Sequence, residues 1–333
     1  MAVGPAVVVF VVGAVVSLGT SWVLVTRLER VGERFGFSEA LLGMVAALAA
    51  DTPEITASVT ALAHHERAVG AGVVIGSNVF NLAALLGLGA VVAGRIDLHR
   101  RVVLLGGAVG VWMATVCLFS VGRVVDPGLG LGLSLAVLTL YLLVLGGHST
   151  VLQRLPMPGR WVTWVEAAVD EEELELVVAI RPKRGEPRDA LAATVALVVV
   201  VVASVGMEQG ASTLGRHYAV AGVIVGGLVL AGVTSLPNAV AAVYLAAKGR
   251  GAAALSTALN SNTLNVVGGL LLPATFIGLV KPSAQTMLIA GAYLVLTALT
   301  LGLAYAQRGL RRWAGWLIIA SYAGFIAVLV AVS

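Results

Sequence analysis

The sequence is poor in the residues that build water-soluble domains. Charged residues make up 11% of its 333 positions, aromatics 6%, and there is one cysteine, Cys117. A single cysteine excludes a disulfide framework and a Cys-based metal site; set in an apolar run, Cys117 reads as a small core residue. The scarcity of charge excludes a soluble fold of this size, because hydrophobic residues at 59% exceed what one core can bury. The net charge of +4 does not make a nucleic-acid surface, since the basic residues lie between apolar runs rather than on one face. No cleavable signal peptide is evident: the first apolar run, from Ala2, is long enough to span and to be retained.

What the chain has in abundance is apolar runs, and about 20 residues of such a run cross a hydrocarbon core roughly 30 Å thick. Ten spans are predicted, near 3–27, 38–63, 69–94, 102–122, 128–149, 189–208, 218–246, 252–278, 284–305 and 312–332. The only long polar segment, about 150 to 188, follows the fifth. Placing Lys and Arg on alternate sides puts 17 on one side, among them Arg27, Arg30, Arg34, Arg95, Arg154, Arg181, Lys183, Arg184 and Arg250. Only Arg67, Arg123, Arg216 and Lys281 fall on the other. The positive-inside rule then sets both termini outside and the long loop in the cytoplasm.

The two halves repeat without gaps at an offset of 184 residues. Gly43 matches Gly227, Ala47 matches Ala231, Pro53 matches Pro237, and Ala57 matches Ala241. The register continues through Ser77-Asn78 and Ser261-Asn262 to Asn81 and Asn265. Chance identities in so apolar a chain favour Ala, Val and Leu, whereas these include rare polar residues and mid-span prolines. Five spans per repeat is an odd number, so the second repeat runs inverted. The fold expected is an all-α membrane protein of ten transmembrane helices in two inverted five-helix repeats, an architecture of many secondary transporters. Residues 1–150 form the first repeat with its motif at 43–81, 151–188 the cytoplasmic loop, and 189–333 the second repeat with its motif at 227–265.

Pro53 and Pro237 lack a backbone N–H and disturb the carbonyl one turn earlier. Freed groups inside a membrane are tolerated only against protein or a water-lined cavity, so the symmetric pair predicts two broken helices. Beside the first stand Asp51 and Glu54, the only acids well inside a span. Buried charge in a bilayer is costly and marks ion pathways, and i, i+3 spacing puts both carboxylates on one helical face. Carboxylates, amides and hydroxyls are hard oxygen ligands, suited to Ca²⁺, Na⁺ or Mg²⁺. The candidate cation site is therefore Asp51, Glu54, Ser77, Asn81, Thr234, Ser235, Asn238, Ser261 and Asn265, with Ala47 and Ala231 at matched positions just before the breaks. Asn78 and Asn262 read either as glue between helices or as caps of the breaks. Glu208, at the outer end of the sixth span, reads as interfacial, and His64 and His65 as a solvated outer turn.

These residues resemble the calcium/cation antiporter superfamily, which includes sodium/calcium exchangers. The first repeat reads GMVAALAADTPEITASV followed by VVIGSNVFN, and the second GGLVLAGVTSLPNAVAAV followed by ALNSNTLN. The likeness is to a G-T-S-L-P-E-like segment in one helix and G-S-N-x-x-N in the next. It implies alternating-access exchange in the plasma (inner) membrane of a prokaryote, with spans two, three, seven and eight holding ions and spans one and six sliding across them. The implied cargo is Ca²⁺ and Na⁺ or H⁺, with no cofactor; the partners are membrane lipid and inorganic cations, not nucleic acid. The chain departs from the pattern at Asn238 where glutamate is usual, at Asp51 where serine is expected, and at Ala50 where threonine is expected. Asn265 fills a position that is often acidic. Two carboxylates still balance a divalent ion, but losing the Ala50 hydroxyl weakens a set for several Na⁺, and two like charges this close favour a competing proton. The paired G-N-A-A-E motif of proton/calcium exchangers is absent.

An intramembrane enzyme using Asp51 and Glu54 as acid and base lacks a nucleophile or cofactor motif, so the chain reads as no enzyme. In the loop, alternation through Glu173 to Val177 hints at a strand. The acids Asp170, Glu171, Glu172, Glu173 and Glu175 lack the glycine-turned spacing of a Ca²⁺ loop and read as a solvated face.

Overall fold

A computed structural model describes residues 2–36, 39–146, 159–179 and 185–332. Among the described residues, the regular structure is helical apart from one short pair of strands. In chain order the helices are α1 (Val3–Arg34), α2 (Glu39–Ala50), α3 (Thr52–Ala63), α4 (Arg67–Asn81), α5 (Gly89–Ala93), α6 (Arg100–Val121), α7 (Pro127–Gly146) and α8 (Gly159–Ala179). They continue as α9 (Pro187–His217), α10 (Gly222–Ile224), α11 (Ala231–Thr234), α12 (Leu236–Ala247), α13 (Gly251–Leu264), α14 (Leu272–Ile277), α15 (Ala284–Gln307) and α16 (Arg312–Ala331). Wider π turns at Leu82–Leu88, Val225–Leu230 and Asn265–Leu271 join α4 to α5, α10 to α11, and α13 to α14. Strands β1 (Arg95–Asp97) and β2 (Gly309–Arg311) pair antiparallel, with Ile96 opposite Leu310.

Among the described residues, seven helices are long and apolar enough to cross a membrane, eight if the pair broken at Ser235, bent by 50°, counts as one span. The segments expected at 38–63 and 252–278 do not qualify as single apolar helices, because one breaks at Asp51 and the other carries the polar run Asn260, Ser261, Asn262 and Thr263. In the most apolar 18-residue stretch between Arg67 and Ala93, 94% of the residues are buried, whereas α1 and α9 turn Val8, Val15, Leu191 and Val202 outward, as lipid-facing helices do.

Small residues set how closely the helices approach. A Cβ on Gly13 would lie 2.7 Å from the Ala203 carbonyl, and one on Gly210 2.8 Å from that of Ala6, so α1 and α9 pack backbone to backbone. Gly76 stands against Gly227 in the same way, seating α4 on the second π turn. Ser17 and Ser204 hydrogen-bond across the α1–α9 crossing at 2.8 Å.

Several expectations change. α1 runs to Arg34 rather than ending near 27, because Arg27 and Arg30 reach Asp189, at 2.6 and 3.6 Å, and so are held against the start of α9. α9 begins at Pro187, inside the segment read as loop, where Asp189 and Glu186 close a capping box. It runs to His217, which moves Glu208 from the end of a span to a buried position. The hinted strand at 173–177 is helical: Glu, Ala and Leu favour helix, and Val162 and Val169 of α8 pack against Met44, Val109 and Met113. Arg154, Arg181, Lys183, Arg184 and the end of the fifth predicted span lie outside the described residues, as do the side chains of Glu171, Glu172, Glu173 and Glu175.

Candidate cation site

Each proline sits just after a break. Pro53 is the second residue of α3 and Pro237 of α12, positions where a missing N–H costs little. The chain stays continuous across both breaks: Asp51 N donates to Ala47 O at 2.8 Å, and Ser235 N to Ala231 O at 3.1 Å. Ala47 and Ala231 thus contribute carbonyls already bonded within the backbone. Asp51, Glu54, Ser77, Asn81, Thr234, Ser235 and Asn265 are fully buried, and so are Ser261 and, at 2% exposure, Asn238.

Both carboxylates face donors from the other half of the chain. Asp51 Oδ1 accepts from Asn238 Nδ2 at 2.6 Å and from Ser261 Oγ at 2.7 Å. Glu54 accepts from Ser235 Oγ on one oxygen and from Asn265 Nδ2 on the other. Asn81 donates to Ser261 Oγ at 3.1 Å and Asn262 Oδ1 at 3.0 Å. No Lys or Arg pairs with either acid among the described residues. Four oxygens in this cluster are buried without a hydrogen-bond partner: Asp51 Oδ2, Ser77 Oγ, Asn81 Oδ1 and Asn265 Oδ1. Orphaned oxygens around two unpaired carboxylates are costly unless something positive joins them.

The sequence-predicted set therefore gathers Asp51, Glu54, Asn81, Ser235, Asn238, Ser261 and Asn265 into one hydrogen-bonded cluster. Ser77 is buried without a partner. Thr234 turns instead to its own helix, donating to Leu230 O at 2.9 Å.

The repeat offset is visible in the bonds themselves. Asn78 donates to Asn262 O and Asn262 to Asn78 O, both at 3.1 Å and 184 residues apart. The side-chain bond from Asn81 to Asn262 is matched by one of 3.2 Å from Asn265 to Asn78, and Ser235 to Glu54 is matched by Asn238 to Asp51. Asn78 and Asn262 thus tie the two motif helices together. Sequence reasoning missed Ser58, whose hydroxyl lies 2.8 Å from both Gly70 O and Gly269 O; a lone mid-helix serine gave no signal. It also misplaced Glu208, which is 1% exposed and accepts from Ser212 at 2.7 Å.

A groove of about 410 Å³ leads to this cluster between α1 and α12, lined by Ser21, Glu29, Ala47, Ala50, Asn238 and Tyr244 among others. At the far end of α3, a cavity of about 440 Å³ lined by His64, Glu66, Glu208, Gln209, Ser212, Thr213 and Arg216 reaches none of the cluster residues.

The chain matches the family described as "Sodium/calcium exchanger protein" twice, over residues 5–147 and 189–331. The inner membrane protein YrbG of Escherichia coli K12 is 28% identical over 244 residues, covering 72% of this chain and 70% of that one. CaxA of Alkalimonas amylolytica, assigned as an antiporter, is 36% identical over 94 residues, only 28% of this chain and 30% of the relative. Among solved structures, the sodium-calcium exchanger NCX_Mj soaked with Na⁺ and Sr²⁺ superposes with a TM-score of 0.59 at 21% identity, covering 98% and 99% of the two chains. YfkE does so with a TM-score of 0.64 at 16% identity, covering 96% and 91%. Two matched repeats, an apolar helical fold shared along nearly its whole length with an exchanger, and paired polar motifs at each break lead to one conclusion: the chain is an integral membrane protein belonging to the sodium/calcium exchanger family.

Proposed function

We propose that this protein is a secondary-active cation antiporter that exchanges Ca²⁺ for Na⁺ or H⁺ by alternating access, through ten spans in two inverted five-helix repeats. The observation that carries the reading is the pair of fully buried carboxylates with no protein cation beside them and orphaned oxygens around them. Their combined charge of −2 matches one divalent ion, or two monovalent ones. Asp51 and Glu54 hold the charge, while Ser77, Asn81, Ser235, Asn238, Ser261 and Asn265 supply neutral oxygens. Asn238 and Asn265 turn their N–H groups to the carboxylates in the structure; a half-turn of each amide presents its oxygen instead. The same residues thus satisfy the acids with or without cargo, as a site must when it crosses the membrane in both conditions. The bias of basic residues supports termini outside and the 151–188 segment in the cytoplasm, and the likeness to YrbG supports a prokaryotic inner membrane.

Ca²⁺ flux into proteoliposomes under imposed Na⁺ or H⁺ gradients tests the reading. Gradient-driven uptake supports it; no gradient-driven uptake of any cation overturns it. A second reading, a monovalent cation/proton or Mg²⁺ exchanger on the same fold, is favoured by Asn238, which leaves both charges on one helix, and by Ala50, which lacks the hydroxyl expected in a set for several Na⁺. Competition of unlabelled ions against Ca²⁺ separates the two.

A further inference from the structure

Two turns at one face of the molecule are repeated by two turns at the other. After α3, His65 takes a positive φ of 63°; its N–H donates to Leu62 O and that of Glu66 to Ala61 O. After α12, Gly249 takes φ 74°, with its N–H on Ala246 O and that of Arg250 on Leu245 O. Glu66 and Arg250 are therefore equivalent. After α1, Gly36 has φ 70° and donates to Glu33 O; after α9, Ala219 has φ 53° and donates to Arg216 O. Glu33 and Arg216 are equivalent too.

The charges at these four positions are exchanged. At the face with few basic residues, Arg216 of α9 forms an ion pair with Glu66 beyond α3, and the cavity there stops short of the cation cluster. At the basic face the equivalent residues are Glu33 and Arg250, and no ion pair joins them. Here a groove between α1 and α12 reaches Asn238. One passage is sealed with its pair made, and the other is open with its pair unmade.

Resting on the antiporter reading, we propose that Glu66–Arg216 and Glu33–Arg250 are reciprocal latches of opposite polarity, each made when its own passage is sealed. The structure then holds the state open toward the basic face. Movement of α1 and α9, which are fastened to each other by their glycine contacts and by Arg27 with Asp189, breaks one latch as it makes the other. Glu33, Glu66, Arg216 and Arg250 are positioning residues that set the balance between the two states without touching the ion.

The test uses the full chain in proteoliposomes with Cys117→Ala, Glu33→Cys and Arg250→Cys, treated with a short thiol cross-linker. Cross-linking between 33 and 250 is expected, with a yield that rises three- to tenfold when Arg216→Glu sets two like charges at the other latch. Reversing that latch whole, with Glu66→Arg and Arg216→Glu together, returns the yield to its starting value. If Arg216→Glu does not fold, Glu66→Gln supplies the same comparison. Absence of cross-linking in either gradient direction, or a yield indifferent to the outer pair, overturns the proposal. Because cross-linking needs no flux, a chain that transports no cation while its latches still compete contradicts the antiporter reading alone.

Discussion

At Asp51 the first broken helix turns with Pro53 and Glu54 beyond the break; at Ser235 the second turns with Pro237 and Asn238 in the same places. Their backbones are alike: Ile55 N donates to Asp51 O at 2.9 Å as Ala239 N donates to Ser235 O at 3.0 Å. Their side chains differ by two carboxylates, and all four donors to those carboxylates come from the second repeat. The comparison shows two kinds of constraint. The break needs proline and a residue able to stand in the bend, so it recurs in both halves. In this chain the acids stand in one half and their donors in the other, so the chemistry differs between the halves in a complementary way.

The largest expected effect comes from erasing the charge difference. Glu54→Gln should lower gradient-driven cation uptake by about 100-fold or more, roughly 2.7 kcal/mol, measured in proteoliposomes with protein amount matched. In cation-free buffer the same change should not lower the melting temperature, since it removes a buried charge that has hydrogen-bond donors but no cation beside it. Moving the charge rather than erasing it sharpens the comparison. Glu54→Asn combined with Asn238→Glu should recover about tenfold of the uptake that Glu54→Asn alone loses, because the two positions answer each other across the repeat.

A smaller effect, on stability rather than transport, is expected where the halves are alike. Asn78→Ala removes the side-chain donor to the Asn262 carbonyl and the Oδ1 that accepts from Asn265 Nδ2, while Asn262 Nδ2 keeps the backbone carbonyl at 78. Leaving these buried groups unmatched costs about 1–3 kcal/mol. Thermal unfolding in detergent should show it, with ion preference retained. The smallest effect is predicted at Thr234. Its hydroxyl bonds its own helix, so Thr234→Val should change uptake less than about twofold, within the ±0.5 kcal/mol typical of substitutions away from key contacts.

Much of this difference was readable from the residues alone. Prolines and acids are rare inside apolar runs, so Pro53, Pro237, Asp51 and Glu54 stand out, and the offset ties them to Asn81 and Asn265. What hid was whatever depends on one helix lying against another. The π turns after Asn81 and from Asn265 lie in apolar sequences that look like ordinary helix. Thr234 is a ligand by composition, yet its rotamer sends the hydroxyl back one turn. Glu208 looked interfacial because a hydropathy window ends where charge begins, whereas the helix continues to His217. The Glu66–Arg216 pair joins residues 150 apart, and nothing in either local sequence announces it.

In the proposed antiporter, Asp51 and Glu54 bind the transported cation with neutral oxygens from the opposite repeat. The most direct measurement is thermal stabilisation of the purified protein across Ca²⁺, Mg²⁺, Na⁺ and Li⁺, compared with Glu54→Gln. A ligand that binds only the folded state stabilises it by about 2.7 kcal/mol at 100 times its Kd. A concentration-dependent rise in melting temperature with Ca²⁺ or Na⁺, abolished by Glu54→Gln, is expected if these carboxylates hold the ion. An equal rise in both proteins, or none with any of the four ions, would contradict it.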